Sequence, residues 1–209
     1  MCKENGVKIS VQKTTSMQRF PGTKIILASN SPRRQQFLND IGLAFDIKTH
    51  EVEEVFPPHL KAAEIPDYLV RLKAAPFKNI KPNELIITAD TIVWSEQQCL
   101  GKPKDKAEAK AMLGQLSGKM HQVITSVGFT QAHQQKVIHE NSQVYFKSLS
   151  EEEIDHYIEH YQPFDKAGAY GIQEWIGTIG IEKIEGSYTN IVGLPVAQVL
   201  ATLEEICHS

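Results

Sequence analysis

Apolar runs and amphipathic stretches alternate along the chain in an order that predicts strands and helices in turn. Ile25-Ile26-Leu27-Ala28 is a short continuous apolar run, the pattern of a buried strand. Ser29, Asn30 and Ser31 follow, each able to cap a helix, and Pro32 has the fixed φ that suits a first helical position. That helix continues through Gln35 to Ile41 and is stopped by Gly42; Phe45 to Lys48 predicts a second short strand, and His50 to Pro58 an acidic loop. Over Glu64 to Lys78, Ile65, Leu69 and Leu72 share a face flanked by Arg71 and Lys73, which predicts a helix whose last turn Pro76 disturbs. Leu85 to Trp94 is the second strong strand. Lys104 to Leu116 predicts a helix with Asp105 near its start, and Val123 to Thr130 and Val137 to Phe146 predict strands, the second polar enough to be one-sided. Ser150 and Glu153 form a capping box for a helix reaching Tyr161. Beyond it the chain is Gly-rich, then predicts short strands, then a last helix opened by Pro195 and reaching Ile206. Strands and helices alternate early and strands cluster late. The fold class is therefore α/β with a mixed twisted sheet and flanking helices, rather than a purely parallel doubly wound one. Met1 to Thr23 has no sustained periodicity and ends at Pro21-Gly22; it is expected to be a loosely packed or mobile extension ahead of a single domain over 24–209.

Composition narrows the function classes. The 209 residues are 41% hydrophobic, enough to bury a full core, and a net charge of −3 supplies no positive surplus for binding a nucleic-acid backbone or a membrane surface. An anion site must therefore be local. Cys2, Cys99 and Cys207 are odd in number and widely spaced, which argues against a disulfide framework or a zinc site and for a reducing, cytoplasmic setting. No apolar run is long enough to cross a bilayer, and the first residues lack the apolar core of a secretory signal.

The candidate chemistry starts at the first strand's end. A helix opening at Pro32 leaves unpaired backbone N–H groups and a positive dipole end, and Arg33 and Arg34 in that first turn oppose the dipole unless something negative lies between. Phosphate is the natural candidate; the plainer reading is a surface helix with solvated arginines. Asp90 interrupts an otherwise apolar strand, and a buried carboxylate needs a cation, a metal or a hydrogen-bond network, unless it simply ends the strand and caps a turn with Thr91. Glu53 or Glu54 in the acidic loop could join Asp90 as hard oxygen ligands for Mg²⁺. Lys102, held between Gly101 and Pro103, can act as a fixed point charge on phosphate. The chain has neither a P-loop nor a Gly-x-Gly-x-x-Gly fingerprint. Asp165 to Gln173 and Gly186 to Pro195 are small-residue loops, and the Gln173 amide could read a base edge.

Taken together, Ala28-Ser29-x-Ser31-Pro32-Arg33-Arg34, Glu54, Lys73-Ala74, Ala89-Asp90-Thr91-x-Val93, Gly101-Lys102-Pro103, Ser117-Gly118-x-x-His121-x-Val123-x-Thr125, Asp165 to Gln173 and Ser187-Tyr188-x-Asn190-x-Val192-Gly193-Leu194-Pro195 resemble the Maf family of nucleoside triphosphate pyrophosphatases, from Lys24 to about Ile206. The resemblance implies a two-lobed α/β fold around a cleft, related to the inosine triphosphate pyrophosphatases. It also implies a divalent cation, Mg²⁺ or Mn²⁺, and cleavage of a nucleoside triphosphate to monophosphate and pyrophosphate. By the same resemblance, Asp90 is the proton acceptor, and Arg33, Thr91 and Gln173 set base preference. Read from the residues themselves, Lys102 joins Asp90 in catalysis, Ser29, Arg33, Arg34, Lys73 and Lys102 meet substrate phosphates, and Glu54 and Asp90 are placed to hold the metal, with Asp90 open to either a metal-ligand or a base role. The Arg33-Arg34 pair with Gly171-Ile172-Gln173 is similar to the branch acting on dTTP and UTP. Pro76, soon after Lys73, departs from the pattern, and the N-terminal extension has no counterpart in it. The partner expected is a nucleoside triphosphate, with neither nucleic acid nor membrane; oligomeric state is open, a homodimer included. A nucleotide sensor or septum-associated binder without turnover is the alternative, but a pure binder has no requirement for Asp90.

Overall fold

The computed structural model describes residues 19–208. Seven strands form one mixed sheet: β1 (Lys24–Leu27), β2 (Asp46–Ile47), β3 (Glu84–Ser95), β4 (Gln98–Leu100), β5 (Met120–Thr130), β6 (Gln135–Phe146) and β7 (Ile181–Glu185). Their order is β2-β1-β3-β5-β6-β7, with β4 added to the end of β3; β1 runs parallel to β2 and β3, and the other pairings are antiparallel. The helices are α1 (Pro32–Asp40), α2 (Glu64–Ala74), α3 (Lys106–Leu116), α4 (Glu151–Tyr161), α5 (Trp175–Gly180), α6 (Tyr188–Val192) and α7 (Val196–His208). None among the described residues is long and apolar enough to cross a membrane.

Side chains alternate across β3, and that alternation builds three cores. On one face, Leu85, Ile87 and Ala89 pack with Leu38 of α1 and Val199 and Leu203 of α7. Farther along the same face, Val93 joins a second cluster with Leu113 and Leu116 of α3 and Ile154, Tyr157 and Ile158 of α4. The opposite face meets α2, where Ile65 and Leu69 pack on Ile92 and Ile124. The two clusters on the first face are the two lobes, and Thr91 lies at the waist between them. A belt of polar side chains, buried except for the half-buried Thr91, crosses this waist: Thr91 and Thr125, paired in register, share a hydrogen bond of 2.9 Å, and Asn190 donates to the Val123 carbonyl at 3.0 Å and to Ser142 at 2.8 Å.

The strand register also leaves a gap. β1 ends where Leu27 pairs with Ile87, and β4 ends where Leu100 pairs with Val93, so on that side β3 has no strand neighbour between those positions. Backbone groups facing the gap need other partners.

Several elements differ from their sequence expectation. The helix expected to reach Lys78 ends at Ala74, because Pro76 has no N–H to continue the ladder. The stretch expected to hold short strands before Pro195 holds one strand, β7, and two short helices, α5 and α6. Phe20, assigned to the extension, is 5% exposed and sits in the α1/α7 core, since an aromatic ring next to an apolar cluster gains more by burial than by hydration. The rest of the expected extension, residues 1–18, lies outside the described residues.

Candidate active site

The gap beside β3 opens into a cleft of about 690 Å³, a size typical of small-ligand sites. Its lining draws on the β1–α1 junction, the acidic loop, α2, β3, the Gly101–Lys102 segment, the 165–173 loop and the turn at Gly193. Asp90 is at its base, 6% exposed. The Lys73 ammonium, from α2, lies 2.5 Å from Asp90 Oδ1 and 3.1 Å from Glu54 Oε1. The carboxylate that interrupts the apolar strand is thus held by a cation, and the turn-capping alternative does not apply. Burial pushes the Asp90 carboxyl above its ordinary value, against the pull of Lys73 and Arg34.

Arg34 occupies the gap itself. Its Nε donates to the Gly193 carbonyl at 2.9 Å, its two terminal nitrogens donate to the Ala89 carbonyl at 2.9 Å, Ser29 Oγ at 3.3 Å and Thr91 Oγ1 at 3.1 Å. The guanidinium therefore substitutes for the missing strand and ties the α1 lobe to β3 and to the 193 turn. Burial lowers its affinity for the proton, and Asp90 restores part of it. Nearly all of its donors are thus engaged within the protein. Ser29 is likewise engaged, accepting from Arg34 and from the Ser31 N–H at 3.3 Å. Ser31 is the N-cap of α1 without a side-chain cap bond, and the first intrahelical bond is Gln35 N–H to Ser31 O, so the earlier N–H groups have no helical acceptor.

Arg33 reaches across the cleft to Asp165 Oδ2 at 2.9 Å. Burial raises the Asp165 carboxyl, but hydrogen bonds from Lys166 and Arg33 outweigh it and take it down to about 2. Lys102 and Gln173 stand on the cleft wall, both exposed, and neither side chain has a hydrogen-bond partner or an ion pair among the described residues. Glu54 lines the cleft; Glu53 does not. Lys166, Glu174 and Tyr157, none of them singled out as a site residue in the sequence, build and back this wall. Lys166, 9% exposed, lines the cleft between Asp165 at 2.6 Å and Glu174 at 3.0 Å, and Tyr157 supports Glu174 from behind. Lys166 stood inside a quoted motif, but nothing in the spacing marks its carboxylate partners.

Charge decides what such a cleft can take. Arg33, Arg34, Lys73, Lys102 and Lys166 line it against three carboxylates, Glu54, Asp90 and Asp165, a local positive surplus in a chain of net charge −3. That surplus, with free N–H groups at α1, favours a polyanion. No group of three or more His, Cys, Asp or Glu able to hold a metal occurs among the described residues. Glu54 and Asp90 nevertheless converge on one ammonium. Such a pair fits a small hard cation, which takes one or two protein carboxylates and fills its shell with water and phosphate oxygens.

Among the described residues, the site joins one buried acid to surplus cations at a gap in a mixed sheet, a combination suited to a polyanionic ligand. Residues 24–206 match the model of the Maf-like proteins, and the chain belongs to the Maf family. A dTTP/UTP pyrophosphatase of Christiangramia forsetii is 54% identical over 187 residues, 89% of this chain and 95% of that protein. The dTTP/UTP pyrophosphatases of Flavobacterium psychrophilum and Phocaeicola vulgatus are 52% and 51% identical over 87% and 88% of this chain and 94% and 96% of theirs. Among solved structures, the Staphylococcus aureus Ham1 protein is 15% identical, covering 88% of this chain and all of that one, at a TM-score of 0.46.

Proposed function

We propose that this protein hydrolyses dTTP and UTP to the nucleoside monophosphate and pyrophosphate, using a divalent cation. The observation that carries the reading is the buried Asp90, paired with Lys73 and close to Glu54, at the base of a cleft with surplus positive charge. Relatives about half identical over most of their length bear the name dTTP/UTP pyrophosphatase.

The triphosphate's charge is met by Lys102, Arg33, Lys73 and the free N–H groups at the start of α1. Arg34 keeps Ser29, Thr91 and the Gly193 turn in place and adds its charge at short range. Glu54 and Asp90 would hold Mg²⁺ or Mn²⁺, which when bound neutralises phosphate charge and lowers the pKa of a water. Asp90 accepts the proton of the attacking water; its raised pKa makes it a stronger base than an exposed aspartate. Gln173 offers a donor and an acceptor together, matching the adjacent N–H and carbonyl groups on the edge of uracil or thymine.

A panel of UTP, dTTP, CTP, GTP and ATP tests this, with pyrophosphate followed before and after chelation of the divalent cation. UTP and dTTP should be fastest and chelation should stop release. Equal rates across the panel, or release that survives chelation, would contradict the proposal.

A further inference from the structure

The wall formed by 165–174 takes its shape from a phenol that is not part of the cleft lining. Tyr157 on α4 is fully buried; its hydroxyl donates to Glu174 Oε2 and accepts from the Gly171 N–H at 3.0 Å. The other Glu174 oxygen meets Lys166 at 3.0 Å, and Glu174 N–H closes the turn on the Gly171 carbonyl at 3.0 Å. One hydroxyl therefore holds both ends of the turn 171–174. Space is tight as well: a Cβ at Gly171 would lie 2.9 Å from Glu174 Cδ and 3.0 Å from Lys166 Cε. Inside the turn, Ile172 is buried in the α3/α4 core and Gln173 points outward with a free amide.

We infer that Tyr157 and Glu174 are positioning residues for base selection: by clamping both ends of the 171–174 turn they hold the Gln173 amide at one place on the cleft wall. Recognition by a single amide depends on placement to within a fraction of an ångström, and the chain supplies that placement from behind the site. Without the hydroxyl, the Gly171 N–H loses its acceptor in a buried setting where replacement by water is poor, and the half-buried Glu174 loses one of its two partners. The inference rests on the reading that Gln173 meets the base.

The test is Tyr157→Phe and Glu174→Gln in the full chain, with circular dichroism and thermal melting to establish folding, and kcat and KM measured for UTP, dTTP, GTP and ATP. Base contacts made equally in ground and transition states appear in KM. Expected in both variants is a KM for UTP and dTTP raised by about 3- to 10-fold, kcat within about twofold of wild type, and purine KM values unchanged, so that discrimination contracts. Wild-type discrimination retained in the folded variants, or a uniform loss across all nucleotides, overturns the inference while leaving the proposed activity standing. Should Tyr157→Phe fail to fold, Glu174→Gln decides, because it replaces the charged acceptor of the hydroxyl with a weaker neutral one and removes the charge that pairs with Lys166. A wild-type protein that releases no pyrophosphate from any nucleotide would remove the activity and this inference together.

Discussion

Asp90 lies where a β-strand would ordinarily place an apolar side chain, and its surroundings explain why the substitution is tolerated. Lys73 satisfies one oxygen, and Asp90→Asn would leave that ammonium its second partner, Glu54, at 3.1 Å. The variant should therefore fold normally while losing turnover by roughly 10²-fold or more, the scale of a lost proton acceptor or metal-positioning group. Near-wild-type turnover in a folded Asp90→Asn protein would return the residue to a structural role. The pH dependence has a definite sign. Asp90 must be ionised to accept a proton, so activity is present above its folded pKa and lost as pH falls through it. Burial favours the protonated acid, so kcat should fall on the acid side as Asp90 takes up its proton; a kcat that stays flat as pH falls would contradict the base role. Gln173→Leu should lower kcat/KM for UTP and dTTP by about tenfold, roughly 1.4 kcal/mol, and narrow the gap to purine triphosphates. An unchanged substrate ranking would take Gln173 out of the base site.

Among the elements, β5 carries a buried histidine whose effect is measurable without any substrate. His121 Nε2 meets the Tyr170 hydroxyl at 2.8 Å, the ring packs edge-on against Phe146, and burial pushes its pKa down to about 4. Between about 4 and 6.5 the unfolded chain binds a proton that the folded one refuses. Stability is thus complete above the unfolded pKa and is lost as pH falls, by about 2–3 kcal/mol at about pH 4.5. Urea unfolding at about pH 7.5 and about pH 4.5 should show that extra loss in wild type but not in His121→Gln; equal losses would assign the pH dependence to other groups. The same scale shows what the sequence made legible. The strand into Ser29-Asn30-Ser31-Pro32 reads clearly because the apolar run and the fixed φ of Pro32 are local signals, and the Ser150/Glu153 capping box forms both its bonds, at 3.1 and 2.9 Å. α5 and α6, of six and five residues, left no periodicity to read, and their helicity comes from packing. Arg34's partners were equally hidden, since two of them are backbone carbonyls, Ala89 and Gly193, that any residue supplies. Glu174 was missed because its partners Lys166 and Tyr157 are distant or unmarked in sequence, and only the fold joins them.

At the scale of the whole molecule, the cleft exists because two strands stop short of each other along β3. β1 supplies the α1 end with Arg33, Arg34 and the free N–H groups, and β4 leads into the segment carrying Lys102. α2 brings Lys73 to the opposite face of the same strand, and the 165–174 loop closes the far wall. Positive charge is thereby concentrated in one place on a chain that is negative overall, which suits a triphosphate. On the proposed reading, a binder would need the cations alone, and the buried acid facing them serves the reaction. Product identity tests that most directly. Wild-type protein incubated with UTP and Mg²⁺, with UMP, pyrophosphate, UDP and orthophosphate each quantified, should yield UMP and pyrophosphate in equal amounts, and Asp90→Asn under the same conditions should yield almost none. UDP with orthophosphate as first products would place the cut at the terminal phosphate and contradict the account.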